Sequence, residues 1–336
     1  MSETRPTVQD VDPPVADPAT ASDRAPDAVA TGPQAAEPLP SFRISAPQAL
    51  AVGMLVASPH SGRDYPAGFV ATSRLGFSAL RRSEDSFVDE LFAAAPALGM
   101  PLLQADFPRA FCDVNREPWE LDPVMFSDTL PSWCNTSSAR VSAGFGTIAR
   151  LVASGEPIYG GKLDFAEAEQ RIRLCWQPYH AALAALIDDA IARHGVCLLI
   201  DAHSMPSLNG PIPHGPSAAT SERIVPTGNG RRQEPDFVLG DAFGTSCSAS
   251  VTRCAERYLR ENGFRVRRND PYAGGYVTRH YGRPSQRVHV LQVEIGRGLY
   301  MDEQRYERSD QFGFMQATMA GLLERLAALL PALVAE

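Results

Sequence analysis

Short apolar runs alternate with amphipathic stretches from about residue 43 onwards, and this alternation predicts a sheet flanked by helices. Three apolar runs, at residues 54–57, 196–200 and 288–293, predict strands. The run at 196–200 is continuously apolar, which is typical of a strand covered on both faces. The pattern therefore indicates an α/β fold.

Apolar residues recur at three- and four-residue spacing from about residue 164 to 194, which predicts a long helix. Gly195 should end this helix, and Pro178 should kink or divide it. Two further helices are predicted, over about 250–262 with Gly263 as the stop and over about 311–334 with a break near Pro331.

The first forty residues contain eight prolines, eight alanines and no aromatic residue. Such a segment cannot bury enough apolar surface to offset its chain entropy. Residues 1–42 are therefore predicted to be a disordered tail, and residues 43–336 a single domain. Residues 205–235 are rich in Gly, Pro, Ser and Asn and predict a long loop, which in a compact domain is more often functional than idle.

The net charge of −8 gives no electrostatic reason to expect nucleic acid or a membrane surface as a partner. Seven acids and two arginines in the first forty residues place −5 of that charge in the tail. The tail lacks the apolar core of a secretory signal, and no stretch approaches the roughly 20 apolar residues of a membrane span. Six scattered cysteines without a CxxC pair indicate reduced thiols and a cytoplasmic location. The oligomeric state is left open.

Polar residues with metal-binding or acid–base chemistry follow each of the three apolar runs: His60, His203 and Glu294. If the strands are parallel, these side chains converge where such sheets bind ligands. Two imidazoles and a carboxylate suit zinc, with a further carboxylate to act on water. Each residue also has a plainer interpretation: His60 as a turn or core residue, and Glu294 as an ion-pair partner of Arg297. Asp201 either orients an imidazole or caps a loop.

Other catalytic motifs are absent from the sequence. There is no GxSxG, HExxH or GxxxxGK[ST] pattern. Residues 144–149 fit GxGxxA, but no convincing strand precedes them, which argues against a dinucleotide site.

The chain resembles the N-formylglutamate amidohydrolase (deformylase) family in nine segments that appear in one order over residues 50–305. The segments are SPHSGRDYP (58–66), EDSFVDEL (84–91), DVNREP (113–118), GFGTIARL (144–151), PIYGGKLDFAEAEQRI (157–172), PYHAAL (178–183), LLIDAHSMPS (198–207), PYAGGYVTRHYG (271–282) and LQVEIGRGLYMDE (291–303).

This resemblance implies a three-layer α/β/α fold with a mixed, largely parallel sheet of eight strands. The fold would be zinc-exopeptidase-like (phosphorylase/hydrolase-like), related to the zinc carboxypeptidase and aspartoacylase group. One zinc ion, or another divalent metal, would lie at the strand ends. The implied activity is hydrolysis of N-formyl-L-glutamate to L-glutamate and formate, a step of histidine degradation.

The resemblance would make His60 and His203 metal ligands and Glu294 the general base. In the carboxypeptidase group a ligand glutamate follows the first histidine by three residues, but here Arg63 occupies that position. The third ligand must come from elsewhere. Asp85 is the first choice, and Glu84 is the second.

The segment DVNREP predicts the substrate clamp. Asn-Arg pairs in the wider group bind a substrate carboxylate, and a guanidinium matches a carboxylate with two hydrogen bonds. Arg116, with Asn115 beside it, is the predicted clamp. The alternative is a surface arginine paired with Asp113 or Glu117.

A glutamate substrate carries a second carboxylate, which calls for a second cation. The candidates are Arg171, Arg279 and Arg297. Tyr276, with Gly274 and Gly275, is predicted to form a mobile flap or to donate to the developing oxyanion.

Two alternative functions stay open at this stage. One is a different zinc amidohydrolase or carboxypeptidase of the same fold, acting on an N-acyl-aspartate or a similar small acidic molecule. The other is a non-catalytic protein that binds acidic amino acids. Pocket volume separates the enzymes, and a sequence does not supply it.

Overall fold

The computed structural model describes residues 41–207 and 234–335. The tail predicted over residues 1–42 lies outside the described residues except for its last two positions. Most of the loop predicted over 205–235 also lies outside them. The division of the chain into a tail and a single domain stays a prediction.

The strands of the described residues fall into two sheets. They are Phe42–Ser45 (β1), Met54–Ser58 (β2), Leu102–Ala105 (β3), Cys197–Met205 (β4), Phe237–Gly240 (β5), Val266–Arg268 (β6), Val288–Gly296 (β7), Met301–Asp302 (β8) and Glu307–Arg308 (β9). The main sheet has seven strands in the order β1-β3-β2-β4-β7-β5-β6, and β8 pairs with β9. The family resemblance implied eight strands, so that expectation is wrong by one for the described part of the chain.

Parallel pairing dominates the main sheet. Four of its neighbouring pairs are parallel, whereas β1–β3 and β5–β7 are antiparallel. The predicted α/β fold with a mixed, largely parallel sheet is therefore confirmed. Its assignment as zinc-exopeptidase-like stays a prediction.

The helices flank this sheet in sequence and in space. They are Ala67–Thr72 (α1), Phe77–Leu80 (α2), Val88–Leu91 (α3), Ala139–Ser142 (α4), Phe165–Arg171 (α5), Gln177–His194 (α6), Ala249–Glu261 (α7), Tyr276–Tyr281 (α8), Phe312–Ala327 (α9) and Leu330–Ala335 (α10). Short 3₁₀ turns occupy Arg81–Ser83, Pro96–Leu98, Pro123–Met125, Pro284–Gln286 and Arg297–Leu299.

The three predicted helices all form. The first is divided into α5 and α6 by a π-helical segment, Ile172–Trp176, directly before Pro178. Proline lacks a backbone N–H, so it fits the first turn of α6 without losing a helical hydrogen bond. Gly195 ends α6 with a φ of 70°, as predicted. The last predicted helix divides into α9 and α10 just before Pro331.

Alternate residues of the central strands face opposite sides of the sheet. Met54 and Leu198 belong to a buried cluster that includes residues of α7 and α9. Their neighbours Leu55 and Leu199 belong to a second cluster with residues of α6. Helices thus cover both faces, which gives the three layers and explains why β4 is apolar along its whole first half.

The C-terminal stretch Phe312–Ala335 is long and apolar enough, by length and composition, to cross a membrane. This differs from the expectation that no segment approaches that size. Composition of this kind is weak evidence of a span, because core helices share it. Met315, Met319 and Leu322 of α9 belong to the buried cluster on one face of the sheet.

Candidate metal and active site

The carboxyl ends of β2, β4 and β7 bring together the three polar residues that follow apolar runs in the sequence. β4 pairs in parallel with β2 on one side and with β7 on the other. His203 and Glu294 are register neighbours, and His60 lies two residues beyond β2. Because β4 and β7 continue to Met205 and Gly296, His203 and Glu294 lie within strands rather than after them.

Two imidazoles and one carboxylate form a buried group that could hold a metal ion. His60, Asp85 and His203 each offer one ligand atom, and these atoms lie within 4.8 Å of one another. Asp85 Oδ2 is 3.4 Å from His60 Nδ1 and 3.1 Å from His203 Nδ1. Within the described residues, His60 Nδ1 is buried without a hydrogen-bond partner, which fits an atom that binds a metal.

An aspartate holds the Nε2 atom of each imidazole. His60 Nε2 donates to Asp113 Oδ1 at 2.7 Å, and His203 Nε2 donates to Asp201 Oδ1 at 2.9 Å. A carboxylate that accepts the Nε2 proton fixes the tautomer and presents Nδ1 to a metal. Of the two interpretations of Asp201, the structure supports orientation of an imidazole.

The turn after β2 places His60 in this group. Ser58 Oγ donates to Ser61 Oγ at 2.9 Å. A Cβ atom at Gly62 would lie 2.1 Å from the carbonyl oxygen of Phe107, so a side chain at this position would collide with backbone. The carbonyl of His60 accepts a hydrogen bond from the backbone N–H of Asp85 at 3.0 Å, which ties the two segments together.

The surroundings of Asp85 favour its ionised form. Burial alone would raise its pKa, but His203, His60 and Arg297 hold the pKa well below its usual range. Asp85 Oδ1 accepts hydrogen bonds from Arg297 Nη2 at 3.0 Å and from Ser204 Oγ at 3.2 Å. These two donors occupy Oδ1, while Oδ2 faces the imidazoles.

Glu84, the second choice for the third ligand, is bound elsewhere. Arg81 donates to both of its carboxylate oxygens. Tyr65 and Ser86 each donate to it at 2.8 Å. The geometry therefore favours Asp85 over Glu84 as the ligand.

Arg297 contacts Asp85 and not Glu294. Its Nε also donates to Ser204 Oγ at 3.0 Å, and its Nη1 donates to the carbonyl of Arg82 at 3.4 Å. The guanidinium thus lies behind the proposed ligand and supports its charge. A role of Arg297 in substrate binding stays a prediction.

Glu294 lies beside His203, and its carboxyl is a weaker acid than an ordinary glutamate. Burial raises the pKa of Glu294 to about 7, with His203 opposing this shift and Asp85 adding to it. Gln292 Nε2 donates to Glu294 Oε1 at 2.8 Å. A carboxyl with this pKa can accept and release a proton near neutral pH.

Asn115 and Arg116 adjoin the histidine group. Asn115 Nδ2 lies 3.0 Å from His203 Nε2, and Asn115 Oδ1 accepts from the backbone of Val277 at 2.8 Å. Arg116 donates from Nε to Phe145 O and from Nη1 to Asn115 O, each at 2.9 Å. The alternative prediction was that Arg116 pairs with Asp113 or Glu117. Arg116 Nη2 is 3.8 Å from Asp113 Oδ2, which is an ion-pair distance but too long for a hydrogen bond.

Tyr276 and Arg279 lie on α8 rather than in the histidine group, and Tyr276 adjoins the Asn115–Arg116 segment. The Tyr276 ring stacks on His280 and lies 5.7 Å from Trp176, which donates to the carbonyl of Arg116 at 2.9 Å. The backbone N–H of Tyr276 donates to the carbonyl of Asn115 at 3.3 Å. The side chain of Arg279 is exposed.

Arg109 is a site residue that the sequence reasoning missed. Its Nε and Nη2 donate to Asp113 Oδ2 at 3.2 Å and 2.8 Å. Burial opposes its charge, but Asp113, Asp85 and Glu294 raise its pKa. The only sequence signal was the four-residue spacing to Asp113, which many surface ion pairs share.

Sequence comparison places this geometry in a family. Residues 52–301 match the N-formylglutamate amidohydrolase family. An N-formylglutamate deformylase from Pseudomonas aeruginosa is 31% identical over 287 residues, which cover 82% of this chain and 93% of the relative. One from Pseudomonas putida is 27% identical over 256 residues, which cover 74% and 82%.

A solved structure agrees with the sequence matches. The crystal structure of N-formylglutamate amidohydrolase from Ralstonia eutropha JMP134 is 36% identical, with a TM-score of 0.77, and the match covers 88% of this chain and 99% of that one. The family match extends over more than half of the chain and includes His60, Asp85, His203 and Glu294. The chain therefore belongs to the N-formylglutamate amidohydrolase family.

Proposed function

We propose that this protein hydrolyses N-formyl-L-glutamate to L-glutamate and formate, with one zinc-class divalent metal per chain held by His60, Asp85 and His203. One observation carries the proposal: two imidazole Nδ1 atoms and a carboxylate oxygen converge beside Glu294 in a chain of this family. The acidic surroundings also suit a cation, because three further carboxylates, those of Asp113, Asp201 and Glu294, lie around the histidines.

The residues of the chain then have separate tasks in the reaction. His60, Asp85 and His203 would hold a divalent metal, which when bound would supply Lewis-acid polarisation of the formyl carbonyl and a lowered pKa of water. Glu294 accepts a proton from the attacking water as its oxygen bonds to the formyl carbon. Glu294 then passes that proton to the amide nitrogen, the C–N bond breaks, and formate and the amine of glutamate are released. Arg109 carries positive charge close to Asp85 and Glu294, where negative charge develops on the carbonyl oxygen.

Substrate orientation is assigned to the Asn115–Arg116 pair. Two backbone carbonyls hold the Arg116 guanidinium, so Nη2 is the nitrogen presented to a substrate carboxylate. Tyr276 and Arg279 lie on the same side and would line the entrance, whereas Arg297 acts through Asp85. The remaining proposals are a single catalytic domain over residues 43–336, a cytoplasmic location and a role in histidine degradation.

Metal analysis combined with hydrolysis assays tests this function. Protein purified without chelator should carry about one equivalent of a transition metal per chain. His60→Ala and His203→Ala should lose both metal and activity, and Asp85→Ala should weaken metal binding. Glu84→Ala is the matched control, because its carboxylate is bound by Arg81 and should leave the metal in place.

Three results would contradict the proposal in different ways. Activity in a preparation that holds no metal would remove the metal from the mechanism. Much faster turnover of N-acetyl-L-aspartate or a dipeptide than of N-formyl-L-glutamate would keep the amidohydrolase and reject the substrate. Binding of glutamate with no turnover of any of the three compounds would indicate a binding protein.

A further inference from the structure

Arg140 lies within reach of the charges of both Arg116 and Arg279, and the three are here called the arginine cluster. Burial lowers the pKa of Arg116 to about 10; Asp113 opposes this shift, and the positive charges of Arg109 and Arg140 add to it. The pKa of Arg279, which is exposed overall, is also lowered by partial desolvation and by the charge of Arg140, while Glu120 opposes the shift. Arg140 is thus the member whose charge acts on both of the others.

A backbone link places Arg140 next to the predicted carboxylate clamp. The N–H of Phe145 donates to the carbonyl of Arg140 at 2.8 Å. The carbonyl of Phe145 accepts from Arg116 Nε at 2.9 Å. Arg140 lies on α4, and Phe145 lies in the turn that follows it. The position of Arg140 relative to Arg116 is therefore set by rigid backbone contacts.

The three arginines of the cluster have two neighbouring carboxylates among the described residues, and neither is hydrogen-bonded to Arg116 or Arg140. The nearest carboxylate to Arg116 is Asp113 at 3.8 Å, and the nearest to Arg140 is Glu120 at 4.0 Å. Both distances exceed a hydrogen bond. Asp113 already accepts bonds from Arg109 and His60, so its charge is shared. Partly buried like charges repel each other, and a bound anion would remove this cost.

The other arginines considered for a second carboxylate are already bound within the protein. Arg171 donates to Tyr159 and Glu167 and packs over the ring of Phe111. Arg297 donates to Asp85, to Ser204 and to the carbonyl of Arg82. Arg140 has no hydrogen-bonded carboxylate among the described residues, and its side chain is 29% exposed, so a ligand can reach it.

We propose that Arg140 binds the second carboxylate of the substrate and thereby determines the preference for an acidic amino acid. The inference rests on the proposed function, in which Arg116 holds the first carboxylate of N-formylglutamate. Two guanidinium groups would then meet the two carboxylates of one substrate, each able to form paired hydrogen bonds. Arg279 would add positive charge at the exposed side of the cluster.

Ligand binding to the metal-loaded full chain tests Arg140 without relying on turnover. Isothermal titration of L-glutamate into Arg140→Gln should give an affinity about ten- to 150-fold weaker than that of the wild type. Arg140→Lys should bind with intermediate affinity. Of the two monoamides, L-glutamine and L-isoglutamine, the one that lacks the carboxylate held by Arg140 should bind wild type and Arg140→Gln equally. Arg193→Gln, which removes an exposed arginine paired with Asp189, is the control and should bind glutamate as the wild type does.

Kinetics should follow the binding result. In Arg140→Gln the loss of kcat/KM for N-formyl-L-glutamate should arise mainly from KM, with metal content unchanged. Unchanged glutamate affinity would overturn the inference. An equal loss for glutamate and both monoamides would also overturn it, because it would indicate a structural role. If the wild type binds glutamate through Arg140 but does not hydrolyse N-formyl-L-glutamate, the proposed function fails and the inference stands.

Discussion

Replacing Asp113 by asparagine should separate the support of the metal site from the chemistry. Asp113 Oδ1 accepts from His60 Nε2 at 2.7 Å and from Asn115 N at 2.9 Å, and Oδ2 accepts two bonds from Arg109. Burial opposes ionisation, but Arg109 and Arg116 hold the pKa of Asp113 well below its usual range. Asparagine keeps the size and the Oδ1 acceptor, but it turns an amide N–H towards Arg109.

The structure sets the size of two effects. Breaking a buried ion pair costs about 3–5 kcal/mol, and the 23% exposure of the Arg109 side chain places the expected loss at the lower end, about 3 kcal/mol. In a domain of this size about 1 kcal/mol corresponds to roughly 2–4 °C, so Tm should fall by about 6–12 °C. Loss of the charge that fixes the His60 tautomer should weaken metal binding by about 10–100-fold.

Thermal unfolding in chelator and metal titration against a chromophoric chelator measure these effects separately. Asp122→Asn is the matched control, because Asp122 is a largely buried acid paired with Arg150 at 2.7 Å and, among the described residues, forms no hydrogen bond or ion pair with His60 or His203. Both variants should lose stability, and only Asp113→Asn should lose metal affinity. Wild-type metal affinity in Asp113→Asn would refute the idea that Asp113 prepares His60 for the metal.

Three further predictions concern other parts of the site and its surroundings. Glu294→Gln should lower kcat by about 10²–10⁴-fold and keep the metal, as general acid–base catalysis requires; loss of metal would instead make Glu294 a ligand. A Cβ atom in Gly275→Ala would lie 2.3 Å from Asn115 Nδ2, so kcat/KM should fall about tenfold or more, whereas Gly160→Ala, with no atom within 4 Å, should not change it. Burial lowers the pKa of His180 to about 4, below the 6.5 of the unfolded chain, so the unfolded state binds the extra proton between these values. Stability should therefore fall as pH drops from about 6.5 towards 4, by about 2 kcal/mol at pH 5, and His180→Gln should remove this part of the loss in urea unfolding; identical pH profiles would contradict the assignment.

Local periodicity was sufficient to predict the main helices and strands. The spacing of apolar residues depends on side-chain direction along one element, so it can be read without knowing the fold. Residues 164–194 and the stop at Gly195 follow from this rule. The apolar run at 196–200 marked a central strand, but the buried polar residues that extend it to Met205 carry no such pattern.

The candidate site was partly predictable for a related reason. His60, His203 and Glu294 follow apolar runs, and parallel strands bring their carboxyl ends to one edge of the sheet. The family segments added the Asn115–Arg116 pair. The sequence could not state which nitrogen of each imidazole faces the site, because that depends on Asp113 and Asp201 across the fold.

The sequence alone determined the α/β class, the order of its elements and the chemical types available at the strand ends, since these depend on local pattern and composition. Only the tertiary structure decided between neighbouring residues of equal chemistry. Glu84 and Asp85 are adjacent carboxylates, and they differ because Arg81 binds the first while the second faces two imidazoles. Arg140 gave no sequence signal at all. Its charged neighbours, Arg116 and Glu120, are distant from it in the chain, and only the fold brings them together.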